Sequence, residues 1–361
     1  MPTLANSIAK NTTWLTLSYI FQKILAFIYF TLIARYIGAN DIGIYTFAIS
    51  LTTIVSIFID LGLSNVLIRE AAKDKTKTNQ YLNNIITLKV VLAVLAYLLV
   101  FVIINLLHKG SLTMTMVYIA GLVMVLDSFT LTFFAVFRAW QNLKYESLGI
   151  AIGQILILVI GLLGTYLGSP LYILILALLA GSFFNFLYSL ILLSSKLQLH
   201  LRLNWQKAIL LPLLKIAIPF ALAGIFVRIY SYIDQVLLSI LIGDKYLGWY
   251  SVPYKITFAL QFIPAAFAAA IYPAMSEYYK NAKDKLANIY EKSMYFLLLL
   301  ALPTAFGTAL LADKLINFLY TSEYQPSIMA LQIMIFSVIP IFVGYPIGSL
   351  LNACDKQGKN T

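Results

Sequence analysis

The sequence predicts an all-α, polytopic membrane protein of about ten spans, built from two copies of one helical lobe. Three observations lead to that class. Hydrophobic residues make up 61% of the chain against 11% charged, with a mean hydropathy of +0.89, whereas a soluble domain carries about 25% charged residues. Apolar stretches long enough to cross about 30 Å of hydrocarbon as a helix recur along the whole chain. One of those stretches, with the turn that follows it, appears twice.

The spans are expected in order at 13–36, 41–63, 83–107, 116–140, 148–168, 172–194, 209–242, 246–271, 289–312 and 328–351. The first runs from Trp14 to Ile37 with Lys23 inside it, at a cost of about 2.5–3.5 kcal/mol on insertion scales. It is too long for a cleaved leader and shows no small-residue cleavage site before Arg35. The seventh is overlong, and Pro212 and Pro219 predict a bent or interfacial start. Pro264, Pro303 and Pro340 predict bends in the last three. GIAIG (149–153), GTYLG (164–168) and GYPIG (344–348) are small-residue patterns that predict close helix contacts.

The net charge of +11 resolves into an asymmetry between loops. One side holds Lys10, Arg69, Lys73, Lys75, Lys77, Arg138, Lys144, Lys196, Arg202, Lys207, Lys280, Lys283, Lys285, Lys292, Lys356 and Lys359. The other holds Arg35, Lys109, Lys245 and Lys314. The crowded side is expected to be cytoplasmic, which places the N-terminus inside. A nucleic-acid partner is not needed to explain the charge.

The repeat sets "FQKILAFIYFTLIARYIGANDIGIY" (21–45) over "FVRIYSYIDQVLLSILIGDKYLGWY" (226–250) without a gap. Lys23 falls on Arg228, and the turn Gly38…Gly43-x-Tyr45 falls on Gly243…Gly248-x-Tyr250. The glycines are expected to relieve the backbone where the chain reverses, and Tyr45 to anchor at the interface. Six spans separate the copies, so both start on the same side, which is a parallel repeat. Residues 1–200 are expected to form a lobe of six helices and 201–361 a lobe of four. The chain ends at Thr361 in what matches the fourth inner loop, so further helices are expected to complete the second lobe.

At these residues the chain resembles the polysaccharide transporter branch of the multidrug/oligosaccharidyl-lipid/polysaccharide exporter superfamily. "DLGLSNVLIRE" (60–70) and "YIDQVLLSILIGDKYLGWYSVPYKI" (232–256) carry the likeness together with the two turns. The resemblance implies a flippase with twelve or fourteen helices in two lobes around a central cavity; ten spans depart from that number. It implies alternating-access movement of a polyprenyl-pyrophosphate-linked oligosaccharide or polysaccharide repeat unit across the cytoplasmic membrane. The implied partners are that substrate, membrane lipids, a coupling proton or sodium ion, and polymerase and glycosyltransferase proteins.

Charges inside the spans mark the candidate site. Lys23 and Arg228 lie at equivalent depth in equivalent helices and, with Lys255, would make a cationic cavity suited to pyrophosphate. Asp127 has two open readings: a site for a coupling cation or proton, or a counter-charge to Lys23. Asp234 is a candidate for ion coupling or charge balance, and a bridge to Asp234 is the alternative reading of Lys255. Asp60 and Lys89 lie close to the inner face, where loop-capping and interfacial pairing are expected over substrate contact. Tyr19, Tyr29, Tyr230, Tyr232 and Tyr254 are candidates for stacking on sugars. The sole cysteine, Cys354, and the two histidines, His108 and His200, provide no metal motif. There is no P-loop, so no ATP-driven step is expected, and no cofactor. A cation-coupled antiporter of the same superfamily would place more acids in the spans. A membrane-embedded glycosyltransferase or polymerase would need acidic residues on a sizeable outer loop, and these outer loops are short and acid-poor. No catalytic residue is expected.

Overall fold

A computed structural model describes residues 4–354 and 356, with side chains from Thr13 onward except that of Lys280. Lys359 and the side chains of Lys10 and Lys280, counted above on the cation-rich side, lie outside that description. The described elements are helical. They divide into two compact units, Met1–Leu247 and Gly248–Thr361.

The first unit opens with α1 (Leu4–Asp60), which joins the first two expected spans across Gly38. Gly38 has φ 80° and ψ 172°, a region of backbone space that only glycine occupies without strain. The chain reverses there without leaving helical hydrogen bonding on either side. Next come α2 (Leu63–Lys73), α3 (Thr78–Leu106), α4 (Ser111–Ala139), α5 (Lys144–Tyr166), α6 (Ile173–Leu197) and α7 (Lys207–Leu241). α2 is short and amphipathic, with Leu63, Val66, Leu67 and Ala71 buried. Those residues join Phe133 and Phe137 of α4, Leu82 and Ile85 of α3, and Leu213 of α7 in one apolar core.

α7 runs through Pro212 and Pro219 as one helix, so the expected interfacial start is not a separate element. It packs antiparallel along the second half of α1. Ser50 donates to Gln235 Oε1 at 2.7 Å, Ile57 lies against Gly224, and Gly62 lies against Phe220. By sequence α7 opens the second repeat, yet by packing it belongs with the first unit. The division between compact units therefore falls at Leu247, beyond the repeat boundary expected at 200.

The stretch leading into α7 is pinned to α3. Backbone N–H groups of Arg202, Asn204 and Gln206 donate to Asn83 Oδ1 (3.1 Å), Thr87 Oγ1 (2.8 Å) and Asn84 Oδ1 (2.7 Å). Alternate residues of an extended chain present donors to one side, and one face of α3 supplies the acceptors.

In the second unit α8 (Asp244–Ala259), whose first turn belongs to the first unit, is followed by α9 (Phe262–Asn281), α10 (Lys283–Leu310), α11 (Ala312–Leu319), α12 (Ser327–Met334) and α13 (Val338–Ala353). Two of the expected bends appear as interruptions. Pro264 removes the donor for the carbonyl of Leu260, where α8 and α9 part, and Pro340 does so for Phe336, inside the 3-10 turn between α12 and α13. Pro303 lies within continuous α10. Met275, Leu286 and Ala353 of α9, α10 and α13 form the core of this unit. Trp249 Nε1 donates to the carbonyl of Glu323 at 2.9 Å, and Ser327 Oγ donates to that of Trp249 at 2.7 Å.

Nine described helical stretches are long and apolar enough to span, and the first of them contains two spans. The protein is a multi-pass helical membrane protein of about ten spans. The small-residue patterns divide. Gly153 lies under Asn185, and Gly164 under Ile173, so close α5–α6 contact holds. Gly344, like Gly168, has open space where a Cβ would sit, while Pro346 between the two glycines of GYPIG is buried.

Candidate functional site

A cavity of about 600 Å³ opens inside the first unit. Four helices build it from α1, α4, α5 and α6, and α7 closes one side. Its polar lining comes from Gln22, Thr52, Thr53 and Ser56 of α1, Asp127 and Ser128 of α4, Gln154 of α5, Ser182 and Asn185 of α6 and Arg228 of α7, with Asp60 and Asn65 near α2. Apolar helices that met only lipid and each other would have no reason to collect these groups on one surface.

Three ion pairs neutralise buried or partly buried charges of this unit. Lys89 is 0% exposed, and its ammonium donates to Asp60 Oδ1 (2.7 Å), the Ser128 carbonyl (2.7 Å) and Thr132 Oγ1 (2.6 Å). All three of its donors are therefore used. Ser64 also bonds to Asp60 Oδ1. Asp60 and Lys89, expected to cap loops or pair at the interface, pair with each other in the interior, and Asp60 also lines the cavity. Arg138 grips Glu146 with two nitrogens, and Tyr19 joins them. Lys109 donates to Asp244 Oδ1 at 2.9 Å and to the carbonyl (2.8 Å) and hydroxyl (2.9 Å) of Ser239.

Arg228 differs from these cations. It lines the cavity and has no ion pair or hydrogen bond among the described residues. Asp127 also lines the cavity, beside Ser182, with no ion pair of its own among the described residues. Lys23 is placed otherwise: it is exposed, and its neighbour Gln22 lines the cavity instead. One residue turns a helix by about 100°, which is enough to take a side chain off a given face. Asp234 is partly buried on α7 and does not line this cavity. Lys255 is exposed and belongs to the second unit.

The paired turns behave alike in their backbone. Gly243 has φ 123°, on the same side of the map as Gly38. Gly43 is required by a different constraint, because a Cβ there would overlap the carbonyl of Asp244. The two repeat-related turns thus touch each other, with the Lys109–Asp244 pair beside the contact. Gly248 is buried in α8. Tyr45 is 7% exposed, so it packs in the interior and does not anchor at an interface. Tyr250 stacks towards Tyr254 at 6.0 Å, and Tyr254 on Phe258 at 4.1 Å. None of the five tyrosines considered for sugar stacking lines the cavity; Tyr19 is tied to Arg138 and Glu146, and Tyr29 is buried against Gly161.

Membrane-length helices around a polar cavity define a multi-pass membrane transporter. The chain belongs to the polysaccharide biosynthesis protein family, whose family model matches residues 8–279. Residues 219–358 match the MatE family model. Capsular polysaccharide biosynthesis protein CapF of Staphylococcus aureus is 20% identical over 353 residues, covering 97% of this chain and 87% of that protein. Probable low-salt glycan biosynthesis flippase Agl15 of Haloferax volcanii is 24% identical over 352 residues, covering 97% and 73%. Lipid II flippase MurJ in an inward closed conformation superposes with a TM-score of 0.75 at 15% identity, covering 96% of this chain and 77% of that one. An inward-facing MATE transporter of the MOP superfamily gives 0.72 at 15% identity, covering 96% and 82%. The likeness to solved structures is one of fold.

Proposed function

We propose that this chain is a flippase that carries a lipid-linked oligosaccharide across the membrane by alternating access, with no chemical step. Family membership and relatives named for capsular polysaccharide and glycan biosynthesis support the class. The observation that carries it to a mechanism is Arg228, a cation without a partner among the described residues, lining a polar cavity within the membrane-length helices. Lys89, Lys109 and Arg138 are each neutralised by a carboxylate; Arg228 is left for an anion brought from outside. A pyrophosphate offers the oxygens that a guanidinium fork binds in pairs. Lys23 and Lys255 are exposed and do not line this cavity, so Arg228 is the cation that meets the head group there. Asp127 balances Arg228 while the cavity is empty, and a proton or sodium ion at Asp234 couples the cycle to a gradient.

The cation-rich loops face the cytoplasm, with the N-terminus inside. Residues 1–200 and 201–361 are the two lobes of the repeat by sequence, with α7 packed on the first. Glycosyltransferases supply the substrate on the inner side, and a polymerase takes it up on the outer side. The test is translocation of a fluorescent polyprenyl-pyrophosphate glycan in proteoliposomes, comparing Arg228→Ala, Lys23→Ala and Lys255→Ala with wild type. The second reading is a cation-coupled antiporter, favoured by Asp127 in the same cavity. It is supported instead if the protein discharges a proton gradient against an organic cation and moves no glycan.

A further inference from the structure

Resting on the flippase reading, we propose that the first-unit cavity holds the sugars next to the pyrophosphate and accepts uncharged sugars over acidic ones. Its lining is built for hydroxyl groups. Gln22, Asn65, Gln154 and Asn185 bring amides, which donate and accept. Asp60 spends Oδ1 on Lys89 and Ser64, which leaves Oδ2 as an acceptor towards the cavity.

Phe220 is the one aromatic ring lining the cavity among the described residues, so recognition rests on hydrogen bonds and not on stacking. The volume, about 600 Å³, lies within the roughly 300–1,000 Å³ range of small-molecule sites and suits a short run of sugars.

Charge then sets the selection. Asp60 is neutralised by Lys89 at 2.7 Å. With Arg228 engaged by pyrophosphate, Asp127 remains as a carboxylate without a cation partner among the described residues. A uronic-acid carboxylate placed beside it meets like-charge repulsion in a medium of low dielectric. That repulsion lowers occupancy by about tenfold or more. A neutral hexose instead donates its hydroxyls to the same oxygens.

The experiment uses proteoliposomes and two fluorescent polyprenyl-pyrophosphate trisaccharides, one neutral and one with a single uronic acid in place of a neutral sugar. The neutral glycan is expected to flip about tenfold faster or more, and Asp127→Asn to narrow the ratio by speeding the acidic one. Equal rates in wild type overturn this inference and leave the flippase reading standing. If neither glycan moves, the flippase reading falls and this inference with it. A ratio unchanged in a folded Asp127→Asn protein removes Asp127 as the selecting group.

Discussion

Lys89 illustrates how a charge inside an apolar lobe is made tolerable. Its three donors meet three acceptors, one of them the Asp60 carboxylate, and breaking such a pair from one side leaves the other charge stranded. Lys89→Met is therefore expected to lower stability by about 3–5 kcal/mol, read as the thermal unfolding midpoint in detergent. Lys89→Met combined with Asp60→Asn should recover part of that loss, since the stranded carboxylate is gone. Losses that simply add would deny the pairing. Some of this was legible in the sequence: Asp60 and Lys89 stand out as opposite charges at matching depth. Arg138–Glu146 and Lys109–Asp244 were not, because each cation sits at a helix end and reads as an ordinary loop charge. Lys23 and Gln22 mark the other limit. In a helix apolar all round, no hydrophobic period tells which neighbour points into a cavity.

At the scale of elements, the turns were the most readable feature. Two glycines at matched spacing predicted two reversals, and both take positive φ. Gly38→Ala is expected to cost about 1–3 kcal/mol from backbone strain alone, measured by the same unfolding midpoint. Gly43→Ala acts by a different route, pushing the Asp244 carbonyl away and with it the Lys109–Asp244 pair. A double-mutant cycle on Lys109→Ala and Asp244→Ala should give a coupling of about 0.5–3 kcal/mol, and Gly43→Ala should abolish most of it. Full coupling persisting in the Gly43→Ala background would separate the pair from the turn contact. The pinning of residues 202–206 to α3 was invisible beforehand, because side-chain acceptors at 83, 84 and 87 carry no pattern until the linker lies beside them. Asn84→Ala should speed amide hydrogen exchange at Gln206, and unchanged exchange there would mean the contact does not hold the linker.

For the whole molecule, composition and the repeat foretold the class, the span order and the count of about ten. They did not foretell that α7, second lobe by sequence, packs with the first unit along its length. Repeat boundaries follow ancestry, whereas packing follows complementary surfaces, and the contacts at Ser50, Ile57 and Gly62 drew α7 across. The cationic cavity expected from a matched pair also changed. Among the described residues one cation, Arg228, lines it, with amides, hydroxyls and two carboxylates around it, and this mixed lining points to the glycan as well as to its phosphates. Orientation is testable by labelling single cysteines in a Cys354→Ser background. Lys109→Cys should react with an impermeant thiol reagent added to intact cells, and Lys75→Cys only after the membrane is opened. The central claim is tested most directly by the rate at which wild type and Arg228→Ala flip a neutral polyprenyl-pyrophosphate glycan in proteoliposomes. Losing charge-assisted hydrogen bonds of about 1.5–3 kcal/mol predicts a fall of about ten- to a hundredfold in the variant, partly restored by Arg228→Lys. A folded Arg228→Ala protein that flips the glycan at the wild-type rate would contradict the account.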